Sequence, residues 1–139
     1  MILGDTSFLY ALLDPSDARH TEAARWYGST DEEVATTPLV LAEMDYLAGV
    51  RAGRSARNAF RNDLASGAYV VEWWPTAQVD AVEVAQRYDD LGLSLTDASL
   101  VALADRLETT RVATFDERHF RVVRTLRGGA PFTLLPADA

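Results

Sequence analysis

The sequence predicts a three-layer α/β domain: a mostly parallel central sheet of four to five strands with helices on both faces. Three observations predict it. Short apolar runs alternate along the chain with longer amphipathic ones. Boundary signals fall between the runs: Thr37-Pro38 reads as an N-cap followed by Pro at the first helical position, and Gly53, Gly67 and Gly92 stand where helices should stop. Strands separated by helices also need crossover connections, which make a sheet parallel and cover both its faces.

The elements follow in order. Ile2–Gly4 is the first strand, trailed by helices over Thr6–Leu13 and Asp17–Tyr27. A second strand, Val34–Thr36, leads into helices over Pro38–Ala52 and Ser55–Ala65. The third strand, Tyr69–Trp73, precedes helices over Ala77–Leu91 and Asp97–Glu108, and strands over Arg111–Phe115 and Phe132–Leu135 complete the sheet. Trp73 and Trp74 alternate in and out at the end of their strand, so one ring belongs to the core and the other to the surface.

Composition sets the bounds. The chain has 139 residues, 48% hydrophobic and 24% charged, which is enough to bury a core; with no repeat or linker it reads as one domain over 1–139. It has no cysteine, hence no disulfide, thiolate zinc site or cysteine nucleophile. The N-terminus lacks a basic n-region, and its longest apolar run, Phe8 to Leu13, is far shorter than the roughly 20 residues a membrane span needs. A cytoplasmic protein without membrane association is expected. The net charge of −8 argues against a protein that grips nucleic acid over its whole surface. All 13 basic residues are Arg, so any mechanism that needs a lysine amine is excluded.

Four acids stand out against this background. Asp5 follows Ile2–Gly4 at a strand's carboxyl end, and Asp116 follows the strand that ends at Phe115. In open parallel sheets ligands bind outside those ends. Each acid taken singly reads as well as a helix N-cap. Asp97 lies on the apolar stripe of its helix, with Leu100, Val101, Ala104 and Leu107. Glu43 sits mid-helix among Leu39, Val40, Leu47 and Val50, where it cannot cap and has no Lys and no Arg three or four residues away to pair with. A charge facing a core is normally paired or bound to a metal. Clustered carboxylates need a cation, and hard oxygen ligands without His or Cys select Mg²⁺, or Mn²⁺ in its place. The natural chemistry of such a site is phosphoryl transfer. Off these stripes, Asp45 reads as a surface residue and Asp105 as solvated.

GDTSFLYALL with Asp5, LAEMDYL with Glu43, LSLTDASLVALA with Asp97 and TFDERHF with Asp116 resemble, in order and context, a PIN-domain ribonuclease. Within that family they are most similar to the toxins of VapBC toxin–antitoxin pairs. The resemblance implies a PIN-like fold and a Mg²⁺-dependent endoribonuclease that cuts cellular RNA, tRNA or rRNA, and blocks translation. It implies that Asp5, Asp97 and Asp116 hold metal directly or through water, that Glu43 holds or orients it, and that Ser7 and Thr114 hydrogen-bond the acids. It also implies a VapB-like antitoxin, whose apolar, Arg-bearing tail docks near the active site, and a homodimer. It gives His119 no catalytic role, and both histidines, His20 and His119, read as structural.

Two groups of arginines, Arg51/Arg54/Arg57/Arg61 and Arg118/Arg121/Arg124/Arg127, suit either a basic face for an RNA backbone or solvated helices paired to carboxylates. Setting the four site acids aside leaves 17 acids against 13 arginines. A non-toxin PIN-type nuclease and a simple binding module are the neighbouring alternatives. Receiver-type signalling domains and haloacid-dehalogenase-like phosphatases also carry acidic Mg²⁺ pockets, but they rely on a lysine that this chain lacks. The latter also want a second Asp two residues after the first, where Ser7 stands.

Overall fold

The computed structural model describes residues 1–139 and contains a five-stranded, all-parallel sheet. The strands are β1 (Ile2–Gly4), β2 (Val34–Thr36), β3 (Val70–Val71), β4 (Arg111–Ala113) and β5 (Thr133–Leu135), in the spatial order β3-β2-β1-β4-β5. The helices are α1 (Thr6–Leu13), α2 (His20–Tyr27), α3 (Pro38–Leu47), α4 (Arg54–Ala65), α5 (Ala77–Arg87), α6 (Leu95–Leu107) and the short α7 (Glu117–Phe120).

This order reverses at the middle of the sheet. From β1 the chain moves outward to β2 and β3; after β3 it returns to β4 and continues to β5 on the other side. Right-handed crossovers in opposite directions place their helices on opposite faces, which gives three layers. The connections leaving β1 and β4 diverge, and a crevice opens between their carboxyl ends. In register, Leu3 pairs Val112 and Gly4 pairs Ala113, so Asp5 and Asp116 leave neighbouring strands at that crevice. Gly4 is required there by close approach: a Cβ on it would lie 2.7 Å from Val34 Cγ1 and 3.2 Å from Leu9 Cδ2.

A cluster of 30 buried apolar residues fills the layers, with Ile2 and Leu3 from β1, Phe8 and Leu9 from α1 and Leu100, Val101 and Leu103 from α6. α6 packs along α5, and α1 packs on α2 and α3. Thr37 and Ser99 tie α3 to α6. The Ser99 hydroxyl donates to Thr96 C=O at 2.6 Å, so the 2.8 Å bond between the two hydroxyls takes its proton from Thr37. No helix is long and apolar enough to cross a membrane.

Several boundaries differ from the expectation. α2 begins at His20 rather than Asp17, because Asp17 turns the chain by accepting the Arg19 amide at 2.8 Å. The third strand shrinks to Val70–Val71, β4 to Arg111–Ala113 and β5 to Thr133–Leu135. Trp74 is buried with its Nε1 donating to Asp80, whereas Trp73 is exposed: one ring in, one out. α5 stops at Arg87 and a 3₁₀ turn follows over Asp89–Leu91, closed by Gly92 at φ +71°. α6 starts at Leu95 with Ser94 as its cap, so Asp97 stands in the first turn rather than opening the helix.

The helix expected over Pro38–Ala52 is α-helical only to Leu47. It then widens into a π-turn over Ala48–Ala52, closed by the bond from Gly53 N–H to Ala48 C=O (2.9 Å) and stopped by Gly53 at φ +96°. A wider turn advances fewer degrees per residue, which rotates Val50 off the inner face; it is 62% exposed.

Candidate active site

Asp5, Glu43, Asp97 and Asp116 line one cavity of about 240 Å³ at the crevice between β1 and β4. Thr6, Ser7, Leu47 and Arg51 complete its walls. Four residues separated by up to 111 positions in the chain are thus brought together by two strand ends, the first turn of α6 and the middle of α3.

Asp5 occupies the N-cap position of α1, but its side chain caps nothing. Its Oδ2 accepts hydrogen bonds from Ser7 Oγ (2.8 Å) and Thr114 Oγ1 (2.6 Å). The same hydroxyls accept from the chain beyond β4: Phe115 N–H donates to Ser7 Oγ at 3.0 Å, and Asp116 N–H to Thr114 Oγ1 at 2.9 Å. Ser7 and Thr114 therefore bind Asp5 to the backbone that carries Asp116. Burial pushes the Asp5 carboxyl above its ordinary range, against the lowering effect of the Thr114 and Ser7 bonds, and the Asp116 charge adds to the rise.

Asp97 is driven further, to about 8. Burial is the main cause, and the charges of Asp5, Asp116 and Glu43 add to it. Those three causes fit the shared cavity, because each acid contributes a like charge to the same site. Glu43 is half-buried on α3, as its mid-helix position requires, and no ion pair compensates it.

Asp116 does cap: it starts α7, a helix absent from the sequence reading, and accepts the His119 amide at 3.1 Å. His119 was expected to be purely structural, and the structure places it at the site instead. Its Nδ1 lies 2.8 Å from Asp116 Oδ2 and 3.8 Å from Asp97 Oδ2. The three residues offer ligand atoms within 4.8 Å of one another. The signal was available in Asp116-x-x-His119, since a side chain three residues after a capping Asp returns to it. His20 is structural as expected, with Nδ1 2.7 Å from Ala11 C=O.

Beyond the pocket, Asp45 lies at the surface as expected, whereas Asp105 is less solvated than its position off the stripe suggests. Asp45 makes a bidentate pair with Arg61 at 2.7 and 2.9 Å. Asp105 is half-buried and accepts the Arg127 amide at 3.0 Å. In the second arginine group, Arg121 is bound by Glu117 and Asp138, and Arg127 stands 3.6 Å from Asp80. Half of that group is thus paired to carboxylates, while Arg118 and Arg124 make no ion pair.

The residues of the cavity fit a hard divalent cation. Four carboxylates supply oxygen donors, two of them held above their ordinary pKa by burial. Thr6, on the same wall, buries an Oγ1 that has no hydrogen-bond partner. Asp97, Asp116 and His119 offer ligand atoms close enough to share such an ion, and Asp5 and Glu43 line the same cavity.

Comparison with known proteins agrees with this geometry. Residues 2–125 match the PIN domain family. The chain is 35% identical over 133 residues to Ribonuclease VapC26 of Mycobacterium tuberculosis, covering 95% of this chain and 98% of that protein. Its fold matches the crystal structure of M. tuberculosis VapC20, described as a sarcin–ricin loop cleaving toxin, with a TM-score of 0.78 and 32% identity over 84% of this chain and 90% of that one. The fold is also that of FitAcB from Neisseria gonorrhoeae, with a TM-score of 0.64 and 20% identity over 96% of this chain and 97% of that one. With its acids at the switch point of a five-stranded parallel sheet and its sequence aligned over nearly its whole length, the chain belongs to the PIN-domain family and, within it, to the VapC group.

Proposed function

We propose that this protein is a Mg²⁺-dependent endoribonuclease, with Mn²⁺ able to substitute, acting as the toxin of a toxin–antitoxin pair. The observation that carries the reading is the convergence of Asp5, Glu43, Asp97 and Asp116 on one cavity at the sheet's switch point. The 35% identity to a protein named a ribonuclease supports RNA as the substrate class. The likeness to a toxin that cleaves the sarcin–ricin loop supports a structured cellular RNA, tRNA or rRNA.

Bound at these carboxylates, Mg²⁺ lowers the pKa of a coordinated water and stabilises negative charge on phosphodiester oxygens. The chain's residues do the rest. Asp5, Asp97 and Asp116 hold the ion, and Glu43 holds or orients it. Ser7 and Thr114 fix the Asp5 carboxylate by occupying its Oδ2. Asp97, pushed up to about 8 by burial and like charges, ionises once a cation offsets its neighbours.

The purified chain is expected to cleave RNA with Mg²⁺ or Mn²⁺, to lose activity in EDTA and to regain it on adding Mg²⁺. Full cleavage in the chelator overturns the metal mechanism. For the toxin assignment, expression alone should arrest translation, the Asp97→Asn variant should be harmless, and a VapB-like product of an adjacent reading frame should co-purify and inhibit cleavage. An apolar groove of about 360 Å³, walled by Leu12, Leu13, Tyr27 and Tyr69, suits the apolar tail of such an antitoxin. Light scattering should find the isolated protein as a homodimer.

A further inference from the structure

Arg51 is the only cationic side chain on the wall of the acidic cavity. Of its group, Arg61 is taken up by Asp45, but Arg51 makes no ion pair, although four carboxylates line the same walls. Its guanidinium is held over the Tyr10 ring instead, 5.5 Å from the centroid. That ring is fixed: Tyr10 OH donates to Asp14 at 2.6 Å, and Asp14 also accepts Ser16 N–H and Oγ at 2.9 and 2.7 Å. The π-turn brings Arg51 to this place. The under-rotation that turns Val50 out to solvent turns the next residue toward the face that carries Glu43 and Leu47.

An unpaired guanidinium braced on an aromatic ring keeps its fork of N–H donors available to an anion. A phosphodiester entering a pocket of carboxylates meets repulsion on the other walls. We propose that Arg51 is a substrate-binding residue, which takes a non-bridging phosphate oxygen of the RNA backbone and holds that phosphate against the acidic cluster. The inference rests on the ribonuclease reading and deepens it. It also gives the π-turn a purpose, since an uninterrupted α-helix presents Val50 there.

The test measures RNA binding separately from cleavage. A single-stranded RNA oligonucleotide is titrated with the Asp97→Asn protein in Mg²⁺ at several salt concentrations, with and without a second change at Arg51. Arg51→Ala is expected to weaken binding roughly 10- to 100-fold, the range of a lost charge-assisted hydrogen bond. It should also flatten the slope of log K against log salt by about 0.7, one phosphate contact on a single strand. Arg51→Lys should keep the slope but not the full affinity, because it keeps the charge and loses the fork. Arg51 is exposed, so melting should move little. Should Arg51→Ala unfold, Arg51→Gln, which keeps the stem and removes the charge, reads the same slope. If the otherwise wild-type chain cleaves RNA while the Ala or Gln change leaves affinity and slope as they were, the Arg51 inference is overturned and the ribonuclease reading stands. If the wild-type chain neither binds nor cleaves RNA, both fall.

Discussion

Asp14 and Asp97 are both acids set into the folded body of the protein, and they are driven in opposite directions. Asp14 takes the Tyr10 hydroxyl and two donors from Ser16, and these bonds hold its carboxyl below the usual range. Asp80, equally enclosed, takes Trp74 Nε1 at 2.9 Å and Thr76 Oγ1 at 3.1 Å, with Arg127 beside it. Asp97 has only the Ser94 hydroxyl and, at 3.8 Å, the His119 ring beside its carboxylate, and it faces three other acids. The first two carboxylates are satisfied by the protein itself and serve as structural joints. The cluster is compensated only in part: Asp5 takes the Ser7 and Thr114 hydroxyls, but Asp97 faces like charges that folding leaves unbalanced and a cation can offset.

The largest effect that tests this contrast comes from neutralising the cluster. Asp5→Asn and Asp97→Asn should each reduce RNA cleavage by at least roughly 100-fold, since each removes a charged ligand while keeping its shape. The metal-free proteins should melt at the same temperature or higher, because like-charge repulsion is relieved. Unimpaired cleavage by both would mean that the site lies elsewhere. Thr114→Val comes next. It removes the hydroxyl that joins Asp5 to the Asp116 amide, and should lower activity roughly 10- to 100-fold through misplaced acids. Rates equal to wild type would show that Asp5 needs no such support.

Asp80→Ala should do the reverse of the cluster variants. It leaves the Trp74 indole N–H without its partner and should destabilise the fold by about 1–3 kcal/mol, with cleavage unchanged below the melting range. A stabilised Asp80→Ala protein would erase the distinction between the two kinds of acid. The mildest effect is in pH. Asp97 titrates near 8 in the folded protein and near 3.8 when unfolded, so between those values the folded state binds the extra proton. Metal-free protein should therefore lose stability as pH rises from about 4 to 8, and Asp97→Asn should flatten that decline. Asp14, lowered, contributes stability above its unfolded value that disappears on acidification. Thermal melts in EDTA across this range check both signs.

Most of this arrangement could be read from the chain because it rests on local rules. Alternating runs and Gly or Pro boundaries give strands and helices to within a few residues, and β1, α1 and β2 were delimited without error. Parallel topology then sends Asp5 and Asp116 to the same edge, and helical periodicity turns Asp97 and Glu43 inward. The capping reading of Asp5 fails for a reason no local pattern contains: Thr114, 109 residues away, competes for the same carboxylate.

What the sequence by itself determined, then, was the layer order, the four acids and their inward direction, all consequences of periodicity and crossover geometry. Only tertiary structure decided the rest. The π-turn that exchanges Val50 for Arg51 follows a fully buried Ala48 and ends in a left-handed Gly53, so packing sets it rather than propensity. His119 reaches the site because Asp116, held by Thr114 after β4, caps a one-turn helix too short to show any period. Asp97 acquires its raised pKa only when four chain segments close around it and exclude water, because like charges far apart in the unfolded chain do not feel one another.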